Sequence, residues 1–455
     1  MTDTKRPLGP GYWKLWTASV VSNLGDGLSI VAYPWLASAL TRNPVAIAGI
    51  AVATRLPWLV FTLPAGVITD RVDRRKLVLG MDVVRFVLTL GVALVVLAGE
   101  SSLNDPGDIA DGLASTPDNG ALALVLLYVA AALLGSAEVL RDNSAQTLMP
   151  SLVDAEHLDK ANGRLWGAEM VMNAFVGPPL AGFLLSVSFA LPFFIDAGTF
   201  AVAAGLLFLI AGDFSPKGRP TDAPPTSFRD ELKEGVRWLW QHRLLRSLGI
   251  ALGLLNGLGA MQQAVNVLFA QEVLGLSAAG FGALSIAFAI GGVVGSVVAH
   301  RVSERLGPGN SLFATVIVSA IGPALIGAVP SVHLVFSVFA VGSFFAVVWN
   351  VITVGLRQTL IPDHLLGRVN SVYRFFGWGM IPIGSLVGGV LVVVVDTFAS
   401  RDAALRVPFV VSAAAHVLLL AWALPRLNTA EIDAAKEAHA AAADAATDEV
   451  VDEQT

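Results

Sequence analysis

The sequence predicts an all-α integral membrane protein of about twelve transmembrane helices. Three observations carry that expectation. Only 14% of the residues are charged and 55% are hydrophobic, whereas a soluble domain carries about 25% charged residues. Apolar blocks of spanning length, about 17–25 residues each, recur from one end of the chain to the other. Short polar motifs of the first half recur in the same order in the second, as a duplicated bundle would give.

The first span, 13–38, follows Lys5 and Arg6 and superficially resembles a signal peptide. It is too long for one, and Asn23, Gly25 and Asp26 interrupt it, so it reads as a retained helix. Spans two to four cover 45–69, 76–99 and 120–141. The fifth, 159–186, starts among polar residues, and the sixth covers 190–212. At 213–245 the composition shifts to Pro, Gly and Ser, then to a basic amphipathic helix with Phe228, Leu232, Val236 and Leu239 on one face. The last six spans are expected at 246–270, 278–300, 310–329, 332–356, 369–395 and 404–425. This gives a first six-helix bundle over 1–212, a linker at 213–245, a second bundle over 246–426, and an acidic, Ala-rich tail at 427–455. The tail reads as a frayed helix or as disorder.

Basic residues set the orientation. Lys14, Arg71, Arg74, Arg75, Lys76, Lys160, Arg164, Arg301, Arg305, Arg357, Arg368 and Arg426 fall on one side; Arg42, Arg401 and Arg406 fall on the other. The 100–119 connection holds Glu100, Asp105, Asp108, Asp111 and Asp118 and no Lys or Arg. Both termini are therefore expected in the cytoplasm of a cell bearing the chain in its plasma or inner membrane.

The repeat is parallel. Gln146 to Pro150 recurs as Gln358 to Pro362, Leu158 to Gly163 as Leu366 to Ser371, and Thr69 to Val72 as Ala299 to Val302. Each piece falls on the same expected side in both halves, which requires an axis along the membrane normal.

Charges inside the spans are expensive and point to function. Asp26 lies near the middle of span one, with Arg55 of span two as its expected partner. Either Asp26 carries a coupling proton or the two form a structural ion pair. Asp196 in span six is a second candidate for proton coupling. Glu138 and Asp142 stand i, i+4 on span four, and with Arg141 and with Glu169 of span five they suggest a gate. Asn173, Asn256, Gln262, Gln263, Asn266 and Asn350 either line a polar cavity or bond helix to helix.

Catalytic chemistry is not expected. The chain has no cysteine, its seven histidines show no metal spacing, and there is no Gly-Lys-Ser/Thr loop to cradle phosphate. No enzyme activity, metal, cofactor or nucleic-acid partner is predicted.

The motif Gly66, Asp70, Arg71, Asp73, Arg74, Arg75, Lys76 resembles the Gly-x-x-x-Asp-Arg-x-Gly-x-Arg-Lys loop of the major facilitator superfamily. Asp73 stands where the family usually has Gly. Asn23 to Asp26, Gln146 to Pro150, Gly177 to Gly182 and Asp196 to Phe200 resemble its bacterial macrolide-efflux and enterobactin-exporter-like branch. The resemblance covers the chain to about Leu427. It implies two pseudo-symmetric six-helix bundles around a central cavity, working by alternating access, and a latch on the inner side made by Asp70, Arg71 and Arg75. It also implies an export signature at Gly177, Pro178, Pro179 and Gly182, although tight helix packing would use the same residues. The expected function is export of a small amphipathic, drug-like molecule in exchange for protons, by a chain that holds a full repeat pair and can act as a monomer. The alternatives are export of a siderophore or other metabolite, uptake, and a membrane sensor or scaffold on the same fold.

Overall fold

The computed structural model describes residues 8–69, 71–111, 113–215 and 228–452, and all regular structure among them is helical. The first stretch folds into α1 (Pro10–Leu40), α2 (Pro44–Thr69), α3 (Arg74–Gly99), α4 (Pro106–Ala110) and α5 (Gly120–Leu152). Then come α6 (Leu158–Met170), α7 (Gly177–Leu185) and α8 (Leu191–Phe208). After the connection lie α9 (Phe228–Gln241), α10 (Arg243–Gln263), α11 (Asn266–Glu272), α12 (Ala278–Leu306), α13 (Pro308–Ala328) and α14 (Val332–Leu360). The chain closes with α15 (Asp363–Asp396), α16 (Arg401–Ala423) and α17 (Thr429–Asp452).

Local sequence explains the boundaries. Proline opens α1, α4 and α13, where its missing N–H is not needed. Asp73, in the place of the family's glycine, caps α3 by accepting from the Lys76 N–H at 3.1 Å. Gly307 enters α13 at φ +79°, a left-handed turn that favours glycine.

Eleven spans among the described residues are long and apolar enough to cross a bilayer. The remaining expected span, α1, is not in that set. It carries Ser19, Ser22, Asn23 and Asp26, and α8, α7 and α5 pack around it. A helix screened from lipid by its neighbours does not need an apolar surface all round. The fifth span is one run, Leu158–Leu185, in which a π turn at Val171–Val176 joins α6 to α7. The seventh breaks at Ala264 and Val265, between α10 and α11.

Contacts gather the chain into two units. One holds residues 1–223, 263–289 and 385–405; the other holds 224–262, 290–384 and 406–455. In the first, Tyr12, Leu15, Val78, Leu148 and Leu207 form a core at one end of the helices. Small residues bring helices together, as expected where lipid gives no hydrophobic drive to pack. A Cβ at Gly135 of α5 would strike the Thr54 carbonyl of α2, and one at Gly282 of α12 would strike the Pro178 carbonyl of α7.

In the second unit, Leu245, Leu248, Val348, Val369 and Tyr373 form the core. Helix α9 joins it through the buried Leu239. The acidic tail is not a loose appendage there: α17 packs on α13 and α14, and Ile432 is fully buried.

Candidate functional site

The ionisable residues of the first unit converge. On α1, Ser19, Ser22, Asn23 and Asp26 follow i, i+3, i+4, i+7 spacing and share one face. On α3, Asp82 and Arg85 lie one turn apart, and on α5 Glu138, Arg141 and Asp142 do the same. Arg85 pairs with Asp26 through one terminal nitrogen. Its other terminal nitrogen donates to the Ser22 hydroxyl at 3.0 Å and stands 3.8 Å from Asp82. The guanidinium lies 3.9 Å over the Phe200 ring of α8. Arg141 completes the set. Its Nε stands 3.4 Å from Asp82, and its terminal nitrogens donate to Asp142 and to the Ser19 hydroxyl, each at 3.2 Å.

Asp82 is held by charge alone. It is fully buried and neither carboxylate oxygen accepts a hydrogen bond among the described residues, yet a guanidinium stands on either side. The exposures then decide which group can exchange with a cavity. The side chains of Asp82, Arg85 and Arg141 are 0%, 3% and 2% exposed, whereas Asp26 is 23% exposed. Asp26 and, at 33%, Asp142 are the open members of the set.

Asp196 of α8 lies apart. It is buried, and its Oδ2 accepts from the Ser29 hydroxyl of α1 at 3.0 Å. Its Oδ1 has no hydrogen-bond partner among the described residues.

The partner expected for Asp26 requires correction. The structure pairs it with Arg85, while Arg55 is exposed on α2. The face of α1 that bears Asp26 also bears Ser22, and Arg85 reaches both. Depth along a span made Arg55 attractive; facing decides the pair. Asp82 and Arg85 are the site residues that sequence reading missed. Their signal was present: opposite charges three apart inside an apolar span.

Asn173 donates to Asn23 at 2.6 Å, and Glu169, at the end of α6, stands beside the same Asn23. In the second unit Asn256 donates to the Gly377 carbonyl at 2.9 Å and Gln262 to the Ser412 hydroxyl at 2.7 Å, so both bond helix to helix. Gln263 and Asn350 are exposed, and Asn266 is buried with its Oδ1 unbonded among the described residues. Asp70 lies outside the described residues. Arg71 is exposed, and Arg75 donates to the Ile210 carbonyl of its own unit.

The Gly-Pro run starts α7 directly after the π turn. Pro178 and Pro179 have no N–H to return to the preceding turn, which is where the wide turn occurs. Gly177 meets Gly27 of α1 backbone to backbone, and Gly182 meets Ala278 of α12 in the same way. A second ionic set, also in the first unit, centres on Glu272. That carboxylate binds Arg42 and, at 2.8 Å, Arg401. Arg42 also donates to Gln271 at 2.7 Å, and Gln271 to the Ser38 hydroxyl at 2.8 Å.

The chain resembles known transporters over nearly its full length. It is 28% identical over 434 residues to the multidrug efflux pump Tap of Mycobacterium tuberculosis (strain ATCC 25618 / H37Rv), covering 92% of each protein. It is 26% identical over 371 residues to the enterobactin exporter EntS of Citrobacter koseri, covering 80% of this chain and 81% of that one. A bacterial homologue of the iron transporter ferroportin, solved in an inward-facing state, shares the fold with a TM-score of 0.67 at 16% identity, covering 92% of this chain and 99% of that one. The sequence pattern of one family matches residues 15–381 and 252–447. This all-helical, multi-pass membrane protein is a transporter, and it belongs to the Major Facilitator Superfamily.

Proposed function

We propose that the protein exports a small amphipathic molecule by alternating access, in exchange for protons taken up at Asp26 and Asp196. The observation that carries this reading is a surplus of acid in the first unit. Asp26, Asp82, Glu138 and Asp142 gather there around two buried guanidiniums, Arg85 and Arg141, and Asp196 lies apart on α8. An uncompensated charge at membrane depth costs at least about 2.5–3.5 kcal/mol, so the surplus carboxyls are places where protons can be held and released. Of the carboxylates paired with Arg85, Asp26 is the one open enough to exchange. Similarity to an efflux pump and to a siderophore exporter supports the outward direction. The division into a 1–212 bundle, a 213–245 linker, a 246–426 bundle and a tail belongs to this reading, as do the inner latch at Asp70, Arg71 and Arg75 and the cytoplasmic placement of both termini. A monomer suffices for it, because one chain holds both halves.

The test is transport by the purified chain in proteoliposomes with an imposed pH gradient, screened against drug-like amphiphiles and a catecholate siderophore. Gradient-dependent movement of an amphiphile that fails in Asp26→Asn is the expected result. Movement indifferent to the gradient would refute proton exchange. Movement of the siderophore alone would replace the drug-like substrate with an endogenous one, and no movement of any compound would favour a sensor or scaffold.

A further inference from the structure

The first unit contains a cavity that the ionic cluster does not use. It has a volume of about 290 Å³ and lies among α1, α3 and α5. Leu36, Leu40, Val96 and Leu127 form its buried wall. Val95, Leu126, Val129 and Leu133 also line it, and these four are exposed on the helix surface. In a spanning bundle that surface meets hydrocarbon, so the cavity opens sideways into the bilayer. It runs from Leu88, in the middle of α3, to the connection that begins after Gly99.

The floor and the rim differ in chemistry. In the apolar part Gly91 leaves the mouth open: it is exposed, and a Cβ there would meet nothing within 4 Å. At the rim the lining turns polar, at Ser102 and Asn119. The Ser102 hydroxyl is committed to the Gly99 carbonyl at 2.7 Å, whereas the Asn119 side chain makes no capping bond to α5. Glu100 follows the lining residue Gly99, and Asp118 lies between the lining residues Pro117 and Asn119. With Asp105, Asp108 and Asp111 they make a connection that is anionic throughout, without Lys or Arg. Asn104 and Ser115 brace it, the amide donating to the carbonyl at 2.9 Å, and Glu100 is fixed by the Phe189 N–H at 2.6 Å.

An apolar slot under a fixed anionic rim selects its occupant by charge. A phospholipid would bring its phosphate to the end of the cavity where Glu100 and Asp118 adjoin the lining. A single apolar body with a positively charged head satisfies both parts. We infer that this groove binds lipophilic cations, holding the apolar body among α1, α3 and α5 and the charge at the acidic rim, and that it is the point where cargo passes between the protein and the adjoining leaflet. This rests on the export reading above, and it names the class of molecule exported.

The test uses the full chain in phosphatidylcholine nanodiscs and two photoreactive probes. One is an alkyl trimethylammonium with a diazirine in mid-chain; the other is the same chain ending in sulfonate. Labelling by the cation should map to peptides within Leu36–Leu40, Leu88–Leu103 and Pro117–Leu133, and should exceed labelling by the sulfonate severalfold. A Cβ at Gly91 has open space to enter, so Gly91→Leu should occupy the mouth and remove most of that labelling, with Gly91→Ala in between. Asp118→Asn combined with Asp111→Asn should reduce the preference for the cation, lowering its labelling and raising that of the sulfonate. Equal labelling by both probes would make this an ordinary acyl-chain groove and overturn the inference. Labelling that is indifferent to Gly91→Leu, or that falls outside those peptides, would overturn it as well. Photolabelling needs no turnover. Intact labelling with no transport would therefore refute export and leave the site standing, and intact transport without groove labelling would refute only the site.

Discussion

Asp26 and Asp82 stand on either side of Arg85, and removing the one should differ from removing the cation nearest the other. In Asp26→Asn, Arg85 keeps the Ser22 hydroxyl and Asp82. The protein should fold with a melting temperature near that of the parent, bind its substrate without pH dependence, and fail in gradient-driven export. Full proton-driven export by the well-folded variant would remove Asp26 from the coupling path and leave Asp196. Arg141→Gln is different, because it takes the nearer cation from a carboxylate with no exposed surface. Breaking a buried pair in this way costs about 3–5 kcal/mol, so a clear fall in melting temperature is expected. A melting temperature within error of the parent would show that Arg85 alone holds Asp82. The sequence made Asp26, Arg141, Asp142, Glu138 and Asp196 legible because a charge in a span stands out against its surroundings. It did not reveal which helix faces which, so Arg55 was as good a partner on paper as Arg85.

Among the elements, α7 and the π turn before it carry the sharpest constraint. Gly177→Ala would drive a Cβ into the backbone of Gly27. Overpacking of this kind costs about 1–3 kcal/mol, and α1 and α7 would have to part. Gly163→Ala, on the neighbouring α6, meets nothing within 4 Å and should be neutral or stabilising by up to about 1 kcal/mol. Thermal unfolding of the two variants in detergent checks the contrast; equal losses would deny the backbone contact. The Gly-Pro run was readable as a kink because proline chemistry is local. The widened turn at Val171–Val176 was not, since nothing in those six residues requires it apart from the prolines that follow. The tail, read as a frayed helix or disorder, is a helix, and its docking was not legible for a related reason. Its Ala-rich composition suggests fraying, and only the site where Ile432 docks, on α13 and α14, gives α17 its place. The eleven spans picked out by hydropathy follow the expected order, because spanning length and apolarity are properties of each segment alone.

For the molecule as a whole, the asymmetry of basic residues makes an orientation testable. A reporter fused after Thr116 should read as periplasmic, and one fused after Ser215 as cytoplasmic. The reverse pattern would invert every inside and outside assignment made from the sequence, including the leaflet that the groove addresses. The first unit also has a history written into its contacts. It is assembled from 1–223, 263–289 and 385–405, and Glu272 joins Arg42, 230 positions before it, to Arg401, 129 positions after it. Gly389 of α15 likewise lies against Pro44 and Val45 at the start of α2. During synthesis, then, the early helices wait. Until the stretch ending at 405 has entered the membrane, Glu272 has one cation instead of two and the start of α2 lacks its neighbour. The completion of the first unit is thereby tied to the arrival of nearly the last part of the chain, so a chain cut short before 385 would leave that unit without Arg401 and Gly389.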